Sequence, residues 1–192
     1  LVNVANHMKK IIPSILDWLL IITIMGTVNG AFGYDLSSGK QVFCDVTWDG
    51  APTRIKEEYI GGNDDTGTVN NLGGSAALVR YPEGREPIIV FDRKMMTRIK
   101  GILPLATDFI FFHECAHIRY KTSDEFYANC RAVVDMHDAG LLEKNDFILL
   151  GKYHKSRRVL PVKYGGAGYV FWERTKECLR QIKHPLVRNS DN

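Results

Sequence analysis

The spacing of apolar residues divides the chain into a region of strands followed by a region of helices. Short alternating or continuous apolar runs predict three strands, at residues 40–48, 75–81 and 87–91. Apolar spacings of three and four residues, together with capping side chains, then predict five helices. These lie at residues 93–100, 108–117, 123–139, 141–150 and 170–182. Strands followed by helices are typical of an α+β domain, here with a short antiparallel sheet.

Two local signals refine this organisation. Pro87 opens the third strand, and a proline at a strand start favours the edge of a sheet. The apolar run that follows suits an ordinary buried strand equally well. Asp92 is a good cap for the first helix, which we expect to close at Gly101. The paired glycines within residues 163–168 predict a flexible connection.

The N-terminal segment predicts export. Two lysines precede an apolar stretch at residues 11–25, and small residues follow that suit cleavage before Tyr34. This order is typical of a secretory signal peptide, which we place at residues 1–33. Residues 1–7 lie ahead of a more natural start and are interpreted as an upstream extension. Retention of residues 11–32 as a membrane anchor is the alternative.

The remainder, residues 34–192, is long enough for a single domain with its own core. The formal net charge of the 192-residue chain is +3, its charges are well mixed, and it carries no nucleic-acid-binding motif. With the predicted signal peptide, we expect a periplasmic or secreted protein. A membrane is a partner only if the N-terminal segment is retained, and nucleic acid is not expected.

A His-Glu-x-x-His motif carries the chemistry. His113 and His117 lie four residues apart, so a helix presents both imidazoles on one face, where they can bind one metal ion. Glu114 is rotated by about 100° from His113 and lies beside the metal, where it can accept a proton from a metal-activated water. This arrangement indicates a zinc hydrolase, with Zn²⁺ as the cofactor.

The next helix offers the third ligand. Ser123 or Asp124 can cap it, and Glu125 follows at its start, facing the two histidines if a short turn folds the helix back. Asn129 lies one turn later on the same face and could accept the free ring N–H of a liganding histidine. His137 is a weaker alternative third ligand, because it lies about three turns further along.

These residues resemble the gluzincin metallopeptidases, in which a His-Glu-x-x-His helix is followed by a Glu-x-x-Ala-Asp or Glu-x-x-Ala-Asn helix. Here the second motif reads Glu125, Ala128 and Asn129. The short spacing is similar to the compact minigluzincin type found in small exported bacterial proteins. Asn129 stands where gluzincins usually carry aspartate, so it would bring no full charge.

The resemblance implies a small zincin-like domain and a zinc-dependent peptidase with Glu114 as the general base. An edge strand, for which residues 87–91 are the candidate, would bind extended substrate. The alternative is a non-catalytic domain that a zinc ion stabilises for binding or regulation. Four residues are candidates for stabilising the oxyanion, and the sequence does not choose among them: Tyr127, His137, Tyr153 and His154.

Four cysteines suit two disulfides in an exported protein. Cys115 is rotated away from both motif histidines and so points away from the metal. Of the three connectivities, we expect Cys115 to pair with Cys130 beside the helix pair, and Cys44 with Cys178. Free buried thiols are the alternative if the chain is not exported.

Overall fold

The structure, a computed structural model, describes residues 33–61 and 72–188. These residues belong to one compact unit, Ala31–Asn192. The predicted signal peptide lies almost entirely outside the described residues. Within the two described ranges, no helix is long and apolar enough to cross a membrane.

Seven short strands form three small sheets in the described part of the chain. They are β1 (Tyr34–Asp35), β2 (Gln41–Val42), β3 (Asp45–Trp48), β4 (Ala51–Arg54), β5 (Lys56–Ile60), β6 (Ala77–Arg80) and β7 (Ile88–Asp92). The pairs β1–β2 and β3–β4 are antiparallel hairpins. The third sheet has the order β5-β7-β6, in which β7 runs parallel to β5 and antiparallel to β6.

The sheet corrects one prediction. We expected an antiparallel sheet, but the sheet is mixed, because β5 runs parallel to β7. The sequence pattern did not reveal β5, since most of this strand is polar and exposed. Of the two alternatives for the strand at residues 87–91, the buried strand is confirmed and the edge strand is wrong: β7 is central, with partners on both sides. Its residues Ile89, Val90 and Phe91 are fully buried, which explains the continuous apolar run.

The helices confirm the α+β class, with shifted boundaries. They are α1 (Arg93–Ile102), α2 (Pro104–Arg119), α3 (Glu125–Asp138), α4 (Lys144–Ser156) and α5 (Gly168–Gln181). Asp92 caps α1 as predicted, since its side chain accepts a hydrogen bond from the Met95 N–H at 2.9 Å. Gly101 lies inside α1 rather than after it, and Pro104 opens α2.

Helix α2 is the centre of the fold. It packs against α1, α3, α4, β3 and β6. Eleven of its sixteen residues are buried, including Phe109, Phe111 and Phe112 from the apolar run before the histidines. A helix that is buried on nearly every side is held rigidly, and so are the side chains at its C-terminal end.

Two disulfides tie this core together, with a different connectivity from the one predicted. Cys44, next to β3, pairs with Cys115 of α2, and Cys130 of α3 pairs with Cys178 of α5. Cys115 does point away from the histidines, but its side of α2 faces the β3 hairpin rather than α3. Cys130 likewise projects from α3 toward α5. Such disulfides are typical of oxidising compartments.

Replacing Cys44 and Cys115 together with alanine should lower the free energy of unfolding by roughly 2–5 kcal/mol, because the bridge closes a long loop. Denaturant unfolding measures this loss. Non-reducing peptide mapping of the wild type should recover Cys44–Cys115 and Cys130–Cys178 peptides, with a reduced sample as control. A Cys115–Cys130 peptide would contradict the fold.

Gly168 allows α5 to start against the end of α4. A Cβ atom at this position would collide with the carbonyl oxygen of His154 and lie 2.8 Å from that of Arg157. Both obstacles are backbone atoms that cannot rotate away. The α4–α5 corner, which lies beside the histidines, therefore requires glycine.

Gly168→Ala should destabilise the protein by roughly 1–3 kcal/mol, as overpacking does. Gly101→Ala is the matched control, since a Cβ there meets nothing within 4 Å and α1 should gain helix propensity. Thermal unfolding of both variants checks this pair. Equal melting temperatures would show that the two helices do not approach as closely as described.

Candidate metal centre

Three side chains converge at the C-terminal end of α2. The Nε2 atoms of His113 and His117 lie 3.0 Å apart. The Oε2 atom of Glu125 lies 3.1 Å from the first and 3.4 Å from the second. A tetrahedral zinc ion, about 2.0–2.1 Å from each ligand, places its ligand atoms about 3.3–3.4 Å apart. The triangle of donors therefore fits a metal ion, and this group could hold one.

Local capping places Glu125 in this triangle. Asp124, the predicted cap, accepts hydrogen bonds from the N–H groups of Phe126 and Tyr127 at 2.8 and 3.1 Å. Its own N–H donates to Thr122 Oγ1 at 3.0 Å, which shapes the turn between the two helices. Glu125 is consequently the first residue of α3 and faces back toward α2.

An ion-pair network fixes α3 against α2. Arg119, at the end of α2, donates to Asp135 of α3 at 2.6 Å. The Tyr120 hydroxyl donates to the other oxygen of the same carboxylate at 2.7 Å. Because the Asp135 side chain is only 9% exposed and bonds to both Arg119 and Tyr120, the two helices that carry the three donors are held in one register.

A backbone contact selects the tautomer of His117. Its Nδ1 atom lies 2.8 Å from the carbonyl oxygen of Thr122. A carbonyl can only accept, so Nδ1 carries the proton and the Nε2 lone pair faces the site. This is the tautomer that metal ligation through Nε2 requires.

Glu125 is held in its ionised form. Burial opposes its charge, but close contacts with His113, His117 and the Lys163 ammonium hold the pKa of Glu125 well below its usual range. The Lys163 ammonium lies 2.7 Å from Oε1, the oxygen that does not face the histidines. The carboxylate therefore offers a single oxygen to the metal position.

The hydrogen bond predicted for Asn129 is absent. Asn129 lies one turn after Glu125 and is fully buried, as its face of α3 requires. Its amide nitrogen and oxygen, and the Nδ1 atom of His113, have no hydrogen-bond partner among the described residues. Buried polar atoms without partners are rare in folded proteins, so this cluster points to a polar group that the protein alone does not supply.

Glu114, the predicted general base, lies close to the three donors. Its side chain is buried, and burial raises the pKa of Glu114 above its ordinary value, although the two neighbouring imidazoles partly offset this. A raised pKa suits a general base that works near neutral pH. Glu114 also borders both cavities that reach the site.

The two cavities meet at Glu114, Ala77 and Tyr164. The inner cavity, of about 100 Å³, lies among α2, α4 and α5 and is lined by residues that include Phe109, His154 and Phe171. The outer groove, of about 590 Å³, runs along β6 past His117 and Glu125. The metal position thus borders a small inner cavity on one side and a larger groove on the other, and both open to solvent.

Sequence reasoning missed two residues of the site. Residues 163–168, predicted as a flexible connection, begin within a 3₁₀ turn, Val162–Tyr164. This turn brings Lys163 to Glu125 and places Tyr164 on the border of both cavities, with its ring centroid 6.3 Å from that of His113. No local pattern signals this approach, because it depends on how the α4–α5 connection folds over α3.

The four residues predicted as candidates for stabilising the oxyanion fall into two groups. Tyr153 and His154 line the inner cavity, whereas Tyr127 and His137 line neither cavity. Tyr127 packs near Tyr120 instead. His137, the rival third ligand, lies beside His184 with ring centroids 4.7 Å apart. Tyr164 joins the candidates that remain.

Comparisons with protein families, with curated protein sequences and with solved structures found no match.

Replacing either His117 or Glu125 with alanine should weaken zinc binding by about 10–100-fold or more. Loss of a residue that only orients a metal ligand already weakens metal binding by about this factor. Chelator competition on the purified protein measures the affinity. Glu177→Ala, an exposed change on α5 outside both groups of residues that could hold a metal ion, is the matched control and should retain the wild-type affinity. Full affinity in His117→Ala or Glu125→Ala would remove these residues from the ligand set.

Proposed function

We propose that the protein is a zinc-dependent peptidase of the gluzincin type, with Glu114 as its general base. The observation that carries the proposal is the triangle of His113, His117 and Glu125 donors with a buried carboxyl beside it. The support is chemical and geometric, and the metal that fits this donor set best is zinc.

The number of ligands favours catalysis over a purely structural role. Structural zinc sites close with four protein ligands, whereas catalytic sites keep one position open. Three donor atoms converge among the described residues, and the open side faces the two cavities. A zinc-stabilised binding domain, the second candidate, would have no use for the Glu114 carboxyl next to that open side.

When bound, zinc would polarise the scissile carbonyl and make water a stronger acid. Glu114 would take the proton from the attacking water and deliver it to the leaving amine. Tyr164 is the best placed donor for the developing oxyanion, because its side chain borders both cavities next to Glu114. Lys163 would keep Glu125 bound through one oxygen.

The outer groove suits an extended peptide. In the described part of the chain, β6 pairs with β7 on one side only, and it lines the groove together with Glu114 and His117. An edge strand can add a substrate segment by backbone hydrogen bonding. We therefore assign the pairing with an extended substrate, which the sequence predicted for residues 87–91, to Ala77–Arg80.

The two disulfides support a function outside the cytoplasm, in the periplasm or the surrounding medium. Peptides or proteins of that compartment are then the substrates. The charge pattern offers nothing to a nucleic acid.

Glu114→Gln should lower kcat by about 10²–10⁴-fold while zinc stays bound, because the amide keeps the shape but cannot accept a proton. Turnover of a quenched fluorescent peptide library and zinc content are measured on the same samples. Glu177→Gln, an exposed change on α5, is the matched control and should leave both unchanged.

Two results would count against this role. Normal turnover in Glu114→Gln would remove Glu114 as the base. No turnover of any peptide by the zinc-loaded wild type would instead favour the non-catalytic alternative.

A further inference from the structure

Among the described residues, several buried polar atoms that line the inner cavity have no hydrogen-bond partner. Asn129 Nδ2 and Oδ1, His113 Nδ1 and His154 Nε2 are all buried without a hydrogen-bond partner among the described residues. All three residues line this one cavity, and Asn129 and His154 are 0% and 7% exposed. Its volume of about 100 Å³ is several times the roughly 10–15 Å³ that one water molecule needs.

Asn129, His113 and His154 can each present a hydrogen-bond donor to an occupant, whereas Asn129 Oδ1 can only accept. The Asn129 amide has two N–H groups, and metal ligation through Nε2 would leave a proton on His113 Nδ1. His154 stacks on Trp172 at a centroid distance of 5.4 Å. Burial, with help from nearby positive groups, lowers the pKa of His154 to about 3, so its ring is neutral and carries one N–H.

Arg157 supplies the charge. This half-buried residue follows the last turn of α4 and lines the same cavity. Its guanidinium forms no ion pair with any residue in the described ranges. An unpaired arginine beside buried neutral donors is suited to a carboxylate, which it can bind through two parallel hydrogen bonds.

The nearby acidic groups do not cancel this preference. Glu114 borders the cavity and Glu125 lies beyond it, but Arg157 and Lys163 balance these two charges. Glu125 is already engaged with Lys163 at 2.7 Å. The metal ion would add positive charge next to the cavity. An anionic occupant is therefore favoured over a cationic one.

We propose that the inner cavity binds a carboxylate of the peptide substrate next to the scissile bond, with Arg157 as the charged partner and Asn129 and His154 as neutral donors. The apolar walls from Phe109 and Phe171 would contact the carbon atoms that carry it. The proposal rests on the peptidase function. The carboxylate can come from an acidic side chain or from a free C-terminus, and the experiment separates these sources.

Binding is measured first, without any need for turnover. Calorimetry on the zinc-loaded protein compares three small probes: N-acetyl-glutamate amide, N-acetyl-glutamine amide and N-acetyl-glycine. At least one carboxylate probe should bind roughly 10–100-fold more tightly than the neutral glutamine probe, as charge-assisted hydrogen bonds imply. The tighter of the two carboxylate probes identifies the source.

Variants then assign the preference to Arg157. Arg157→Gln should abolish it, and Arg157→Lys, which keeps the charge but loses the paired hydrogen bonds, should retain part of it. Arg98→Gln is the matched control, since Arg98 is exposed on α1 and lines neither cavity. Carboxylate binding that persists in Arg157→Gln would be binding to the metal and would overturn the proposal.

Turnover provides the second measurement. Among end-blocked peptides and peptides with a free C-terminus, wild type should cleave best where glutamate or the C-terminal carboxylate flanks the scissile bond. Cleavage with no preference for glutamate over glutamine and none for a free over a blocked C-terminus would overturn this inference and leave the peptidase function standing. A carboxylate preference in binding with no cleavage of any peptide would do the reverse.

Discussion

The confinement of α2 is the constraint on which the site depends. This helix is buried on nearly every side, it is linked to the β3 hairpin through Cys115, and it is joined to α3 through Asp135. Two imidazoles on such a helix cannot separate without disturbing the core. The spacing of the two donors is therefore set by packing before any metal binds, and a preformed site loses little free energy to reorganisation.

The two carboxylate oxygens of Glu125 contact different groups. One carboxylate oxygen faces the two imidazoles, and the other is taken by Lys163. This division keeps Glu125 ionised in a partly buried position, where an unpaired carboxylate would tend to take up a proton. It also leaves Glu114 as the acid at the site with the raised pKa. The pKa values of the two glutamates are therefore shifted in opposite directions, as the proposed roles of Glu125 as a metal ligand and Glu114 as a base require.

Local sequence patterns predicted the three donor residues, but they did not predict the residues and elements that surround them. The His113–His117 pair follows from helix periodicity, and Glu125 follows from a cap at Asp124 and a short turn. Strand β5 was missed because a polar edge strand has no apolar pattern to reveal it. The disulfide partners were wrong because rotation about a helix tells which way a cysteine points, but not which element lies there.

Lys163 and Tyr164 could not have been predicted at all, since they reach Glu125 and His113 through a connection far along the chain. That connection couples the metal centre to the inner cavity. It is bounded by Gly168, whose lack of a Cβ lets α5 begin against the end of α4, beside His154 and Arg157. Lys163, within the same connection, forms an ion pair with Glu125. The loop that shapes the cavity is therefore attached to Glu125, one of the three donors of the candidate metal centre. In the proposed function, metal binding and substrate recognition would depend on the same set of contacts.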